Sequence, residues 1–302
     1  MTDVAVLFLT FNRPEQTRAV FNAIRAERPT RLYVACDGAR TDRPKEAAQV
    51  DAVRKIATSV DWPCQVETLF REENLGCRDS VSGAISWFFE NEEQGIILED
   101  DVLPAPGLFR FLLALLDRYV DRPDISMISA CTFIEDKVSD DADYFLSHYM
   151  HIWGWASWRR AWKNYDLSMS DWGSEAAVAA ISQALGHRKK SVRFWIDIFD
   201  QAKAGKIDTW DYQWVYSAWR HGMTALTPSR NMIRNLGFGD DATHTTGPAP
   251  RQVQKLKLNS PTFPIRHPVS LSVNEKRERR VESDAFGISR FPRLNRLKNR
   301  LA

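Results

Sequence analysis

Apolar residues run almost without interruption over residues 4–9 and stop at Thr10. A strand covered on both faces reads this way, so the run predicts a buried parallel strand. Asn12 and Pro14 follow as a helix cap and a first-turn proline, and Val20, Phe21 and Ile24 recur on one helical face. Residues 32–36 repeat the strand pattern and leave it through Asp37-Gly38. The pattern then predicts a helix over 44–58, a strand over 66–70 and a turn at Asn74-Leu75-Gly76. A helix starting at Asp79 or Ser80 carries Val81, Ala84, Ile85, Trp87 and Phe88. A fourth strand covers 95–99, a helix 109–120 and a further strand 125–130. Strands alternating with helices imply βαβ units, hence an α/β fold with a mainly parallel sheet and helices on both faces.

After about residue 140 the pattern loosens. Residues 140–143 read as a solvated loop, and 151–158 are aromatic and punctuated by glycine. Helices are predicted over 174–185, 190–204 and 212–219, with a short strand over 223–226. Beyond Gly247 the chain is rich in proline and charge and is expected to wrap the surface. Residues 275–302 hold nine Lys/Arg against four Asp/Glu, and Ile288, Phe291, Leu294, Leu297 and Leu301 recur at helical spacing. Pro292 limits that helix to 291–302. Such a basic amphipathic helix suits an anionic membrane surface, and equally a terminal helix docked on its own protein.

Composition changes this picture little. The 302 residues are 44% hydrophobic and 26% charged, ordinary for a globular protein, and a formal charge of +2 gives no reason to expect a nucleic-acid partner. Four cysteines without CxxC spacing argue against a zinc or redox motif and suit a reducing cytoplasm. No signal-peptide pattern and no apolar run of about 18 residues is present. No GxGxxG follows the first strand and no GxxxxGK[ST] occurs, so the usual dinucleotide fingerprint and P-loop are absent.

The chemistry centres on residues 96–106, where Ile96-Ile97-Leu98 runs into Glu99-Asp100-Asp101 before Pro104 and Pro106. Three adjacent carboxylates cannot continue into a core, so the strand is expected to deliver them to a crevice at its carboxyl end. Clustered carboxylates there invite Mg²⁺ or Mn²⁺; an acidic turn is the plainer alternative.

In their order, the strand and turn over 7–14, the Asp37 exit turn and the Glu99-Asp100-Asp101 triplet resemble the GT-A class of nucleotide-sugar-dependent glycosyltransferases. The triplet with its proline-containing helix start, and Trp210-Asp211 opening a helix, look most like the N-acetylglucosaminyltransferase I type. The stretch 210–245 also resembles related bacterial sugar transferases. The resemblance spans 4–245 and implies a GT-A, Rossmann-like fold. Residues 1–135 would be the nucleotide-sugar half, 136–250 the acceptor half and 251–302 a C-terminal extension.

The resemblance further implies a sugar moved from a nucleotide diphosphate donor, UDP-sugar favoured, to a hydroxyl of a glycan or glycolipid. Asp101 would bind Mn²⁺ or Mg²⁺, and Asp100 would reach the ribose or a metal-bound water. Glu99 would support them or touch the donor sugar. Asp211 is the candidate base, with Trp210 and Trp214 keeping it dry; helix capping is its other explanation. An Asp base without a second nucleophile implies inversion. Arg13 and Arg78 are candidates for the diphosphate, Asp37 for the base or ribose, and His244 for the metal. Trp153, Trp155 and Trp158 are candidates for stacking on sugar or for core packing. With no membrane anchor in view, a bacterial cytoplasmic enzyme of polysaccharide or glycolipid synthesis fits best, with peripheral membrane contact through the basic tail. The competing readings are a sugar-1-phosphate nucleotidyltransferase, a non-catalytic nucleotide-sugar-binding protein and a metal-dependent phosphohydrolase. The first usually carries a glycine-rich loop after the first strand, which residues 10–14 lack.

Overall fold

The computed structural model of the chain describes residues 2–134, 142–238 and 250–288. Strand β1 (Thr2–Thr10) shows why its apolar run is continuous. Val4, Val6 and Phe8 face one core layer, and Ala5, Leu7 and Leu9 face the other. Helix α1 (Pro14–Glu27) begins at its proline and buries Val20, Phe21 and Ile24. Then follow β2 (Pro29–Cys36), α2 (Glu46–Ala57), β3 (Gln65–Phe70), α3 (Gly76–Asn91), β4 (Gln94–Glu99), β5 (Val102–Pro104), α4 (Leu108–Arg118) and β6 (Ile125–Ser129). The second half supplies β7 (Tyr144–Ser147), β8 (Trp155–Trp158), α5 (Arg159–Trp162), α6 (Glu175–Ala184), α7 (Lys189–Lys203) and α8 (Asp211–Arg220). It closes with β9 (Thr224–Pro228), β10 (Ile233–Asn235), α9 (Arg251–Gln254) and α10 (Glu275–Asp284).

One eight-stranded sheet carries the fold in the order β3-β2-β1-β4-β8-β6-β9-β7. Strand β1 pairs parallel with β2 and β4, β2 with β3, and β6 with β9. Two strands run against this direction: β7 beside β9, and β8 between β4 and β6. The mixed α/β fold therefore has a mostly parallel central sheet flanked by helices, consistent with the GT-A, Rossmann-like class.

Strand β8 corrects the irregular reading of residues 151–158. Ala156 pairs with both Ile96 and Ile128, while Trp155 and Trp158 anchor opposite faces in the two core layers. Both rings are almost wholly buried, so neither is available to a sugar.

Residues 257–267 run along the surface as expected, tied down by Asn259 to Asn231 and by Arg266 to Asp143. Residues 275–288 do not. Helix α10 buries Glu278 against Ser147 and His148, and Glu282 against Tyr149 and Arg188. The predicted helix over 291–302 lies outside the described residues, and so does its choice between membrane and protein. Among the described residues no helix is long and apolar enough to cross a membrane.

Candidate functional site

The parallel strands β1, β2, β4 and β6 end on one side of the sheet, and a cleft of about 640 Å³ opens there. Open α/β sheets hold ligands at that end of their strands. Glu99 is the last residue of β4, and Asp100 and Asp101 form the turn into β5. Strands β5 and β10 pair antiparallel, and the Leu236 N–H donates to the Asp101 carbonyl at 2.7 Å. This lays residues 235–238 over the triplet. Gly237 has no side chain for a local reason: a Cβ there would run into the Asp101 carboxylate.

Arg13 reaches in from the turn after β1, its Nη1 2.5 Å from Asp101 Oδ2 and 3.8 Å from Asp100 Oδ1. The Phe11 N–H donates to Asp100 Oδ2 at 3.1 Å. Burial pushes the Asp100 carboxyl up, the Asp101 charge adds to this, and Arg13 offsets only part, leaving it at about 7. Burial also lifts Glu99 well above the usual carboxylate range, helped by Asp101, Asp100 and Asp211. Glu99 Oε1 is shut off from solvent and has no hydrogen-bond partner. Burial pulls the Arg13 guanidinium down, but Asp100 and Asp101 outweigh it and raise it.

Three carboxyl groups around one guanidinium leave a surplus of negative potential, which draws cations. Their donors are all oxygen, which suits Mg²⁺ or Mn²⁺ better than a metal preferring sulfur. Among the described residues no three His, Cys, Asp or Glu side chains form a ready-made metal cage. An ion of this type needs only one or two protein carboxylates, so the donor set fits it.

Asp37 lines the cleft, but its carboxylate serves α3. It accepts the backbone N–H groups of Leu75 and Gly76 at 3.1 and 3.2 Å and the Asn74 side-chain amide at 3.0 Å. Burial raises its pKa even against these donors. Asp208 grips the same helix start from the other side, accepting from the Cys77 and Arg78 N–H groups at 3.2 and 3.1 Å. Helix α3 has no side-chain cap of its own, and two carboxylates at its positive end replace one. The Asp37 loop packs so closely that a Cβ on Gly38 would collide with the Glu73 backbone.

Arg78 does not line the cleft. Helix α3 starts at Gly76, earlier than the pattern suggested, and the Arg78 guanidinium pairs with Asp79 at 3.0 Å on an exposed surface. Arg40 lines the cleft instead, ion-paired to the buried Glu46 and stacked over Phe11 at 5.3 Å.

Asp211 opens α8 across the cleft from the triplet. Its neighbour Trp210 is buried against Trp155 at 5.8 Å, and Trp214 donates to the Met127 sulfur in the core, so the helix start is anchored. The N-cap position belongs to Trp210, whose side chain makes no cap hydrogen bond, and Asp211 is the first residue of the helix, an acidic group in its first turn. The Thr209 hydroxyl donates to its carboxylate. His244 lies outside the described residues, as do Asp240 and Asp241.

The far wall of the cleft is aromatic: Phe133, His151, Trp153, Trp195, Tyr212 and Phe286. Of the three candidate tryptophans only Trp153 lines it, edge-on to Phe133 at 5.4 Å and Phe238 at 5.9 Å. Arg40, Asp208, His151, Trp195 and Phe286 are cleft residues that the sequence pattern does not single out. Trp195 sits on a helix stripe that reads as core, and Phe286 follows a helix of charged residues whose pattern shows no core-facing stripe.

No protein-family model and no curated protein matches the chain. Its structure is similar to that of HddC from Yersinia pseudotuberculosis, at 9% identity and TM-score 0.33, over 54% of this chain and 80% of that one. It is also similar to mouse xyloside xylosyltransferase 1 in its apo form, at 10% identity and TM-score 0.36, over 72% and 81% of the two chains. A third likeness is to UDP-glucose pyrophosphorylase complexed with UDP-glucose, at 12% identity and TM-score 0.27, over 48% and 62%.

Proposed function

We propose that this chain is an inverting glycosyltransferase, moving a sugar from a nucleotide diphosphate donor, a UDP-sugar by preference, to a hydroxyl of a glycan or glycolipid. One observation carries the reading: a single cleft joins the carboxylates at the end of β4 to Asp211 at the start of α8, close enough for Asp211 to raise Glu99. Asp101 would hold Mg²⁺ or Mn²⁺, flanked by Asp100 and Glu99, with His244 a further candidate ligand. When bound, such an ion neutralises charge on a diphosphate leaving group.

The chain's own residues supply the rest. Arg13, beside the triplet, would meet the diphosphate. Asp37 borders the donor end while it holds the start of α3. Asp211 takes the proton from the acceptor hydroxyl as that oxygen attacks the anomeric carbon and the bond to the phosphate oxygen breaks. Trp210 and Tyr212 flank Asp211 and keep water from competing for the sugar. Displacement in one step inverts the anomeric centre. Four free cysteines suit a reducing cytoplasm, where activated sugars would meet the acceptor.

Asp211→Asn tests the assignment. It should leave nucleotide binding in a thermal-shift assay unchanged and lower turnover by roughly 10²–10⁴, the usual worth of a positioned base. Full turnover in this variant would remove Asp211 from the mechanism. Hydrolysis of simple phosphate esters without an acceptor would replace the transferase reading by a phosphohydrolase.

A further inference from the structure

We propose that Thr209 and Asp208 are positioning residues for the base: Thr209 aims the Asp211 carboxylate, and Asp208 latches the loop that carries both onto the start of α3. The assignment rests on the transferase reading and names what holds its base in register. The buried Thr209 hydroxyl donates to Asp211 Oδ1. One residue earlier, Asp208 accepts from the Cys77 and Arg78 N–H groups at 3.2 and 3.1 Å. A helix leaves its first four N–H groups without an intrahelical partner. In α3, Asp37 takes those of Leu75 and Gly76, and Asp208 takes the next two. Two carboxylates from distant parts of the chain, one just after β2 and one just before α8, therefore meet on one helix start.

That helix start lies among the groups the reaction uses. Burial pushes the Cys77 thiol up, and the charges of Glu99, Asp211, Asp208 and Asp37 add to this in that order. All five residues line the one cleft, so tying Asp208 to this turn sets the base-side loop against the donor side. Trp210 has a different part. Its ring packs on Trp155 and its carbonyl accepts from the Tyr165 hydroxyl at 3.1 Å, which anchors the backbone to the core. The direction of the Asp211 carboxylate is set by what bonds the carboxylate itself, and Thr209 does so.

Direction matters because a misplacement of about 1 Å can cost roughly 10²-fold in rate. A hydroxyl donated to a carboxylate also favours its charged form, the form that takes a proton. Glu99 on β4, Cys77 on α3, Tyr165 after α5 and Tyr212 on α8 all feel the Asp211 charge. They remain in place in a Thr209 variant, so a changed titration there reports the lost hydroxyl.

Two measurements on the full chain need no donor or acceptor, so their outcome is separate from the test of transfer. The first is carboxyl-carbon NMR of the aspartate-labelled protein, with Asp211→Asn identifying the signal. The Asp211 midpoint should move up by roughly half to one pH unit in Thr209→Val and stay in place in Thr209→Ser, which keeps the hydroxyl. The second is hydrogen-exchange mass spectrometry. Residues 206–210 should exchange roughly 2–30-fold faster in Asp208→Ala, the span of a lost helix cap, and within twofold of wild type in Asp208→Asn, which still accepts an N–H. Turnover of UDP-glucose, UDP-galactose or UDP-N-acetylglucosamine with Mn²⁺ and methyl glycoside acceptors should fall roughly 10–10²-fold in kcat in Thr209→Val and Asp208→Ala, with donor KM within threefold. Where none of these donors turns over, the midpoint and the exchange decide. An unmoved midpoint in Thr209→Val, unchanged exchange in Asp208→Ala, or a donor KM that rises as kcat falls would each overturn the proposal. Wild-type kcat in both variants while Asp211→Asn is inactive would overturn it and leave the transferase reading standing.

Discussion

Helix α10 is held by two buried carboxylates, Glu278 and Glu282, and Glu282→Ala should loosen it by removing one of them. The Glu282 carboxylate accepts from the Tyr149 hydroxyl at 2.6 Å and from Arg188 Nε at 2.7 Å. Its side chain is 6% exposed and that of Arg188 12%, so neither is screened well by water. Burial, and then Glu282, raise the Tyr149 phenol, and Glu282 likewise raises Arg188 against its own burial. Removing one partner of a buried pair typically costs about 3–5 kcal/mol, because the other charge is left uncompensated. The loss should fall on the segment that carries Glu282, since surface helices open as local units. An opening free energy lowered by that amount corresponds to roughly 10²–10⁴-fold faster amide exchange across Glu275–Asp284, read by hydrogen-exchange mass spectrometry.

A double-mutant cycle separates the pair from simple loss of packing. Arg188→Met combined with Glu282→Ala should be less damaging than the sum of the two single changes, because no charge remains stranded. Exchange at the wild-type rate in Glu282→Ala, or strict additivity in the cycle, would refute the reasoning. The same release has a functional reading: Phe286 follows α10 directly, so its place in the cleft depends on this network.

Asp101→Asn should abolish the metal-dependent part of nucleotide binding. In wild type a nucleotide at 100 times its dissociation constant adds roughly 2.7 kcal/mol of stability, and a Mn²⁺-dependent thermal shift persisting in the variant would displace Asp101 from the ion. Glu46→Gln should flatten the acid limb of stability. Burial alone would raise the Glu46 carboxyl, but Arg40 and Asn12 hold it down at about 2. Its contribution is present above the ordinary carboxylate pKa and is lost as pH falls from about 4.5 to 2, amounting to about 3 kcal/mol at most. Urea melts across that window should differ from wild type at pH 6 and converge near pH 2; a constant difference would contradict the linkage.

The parallel-sheet half was legible because its signals are local. A strand covered on both faces must be apolar at every position, as in residues 4–9, and a strand that ends at a cleft can carry Glu99, Asp100 and Asp101. The proline opening α1 and the apolar stripes of α7 and α8 are equally local, set by the helical repeat itself. By contrast, Trp155-Ala156-Ser157-Trp158 is too short to show a period, and only pairing with β4 and β6 makes it a central strand.

The side chains around the cleft divide in the same way. The sequence by itself placed Glu99, Asp100, Asp101 and Asp211 at the ends of elements, while only the packed fold buries Glu99 and Asp100 there. Tertiary structure alone decided that Asp37 and Asp208 grip α3, and that Arg78 faces solvent while Arg40 faces the cleft. It also gathered His151, Trp195 and Phe286 from three distant parts of the chain onto one wall. Apolar burial is non-directional, so the aromatic character of these segments said that they would be buried, while only the packed fold determines which neighbours they meet.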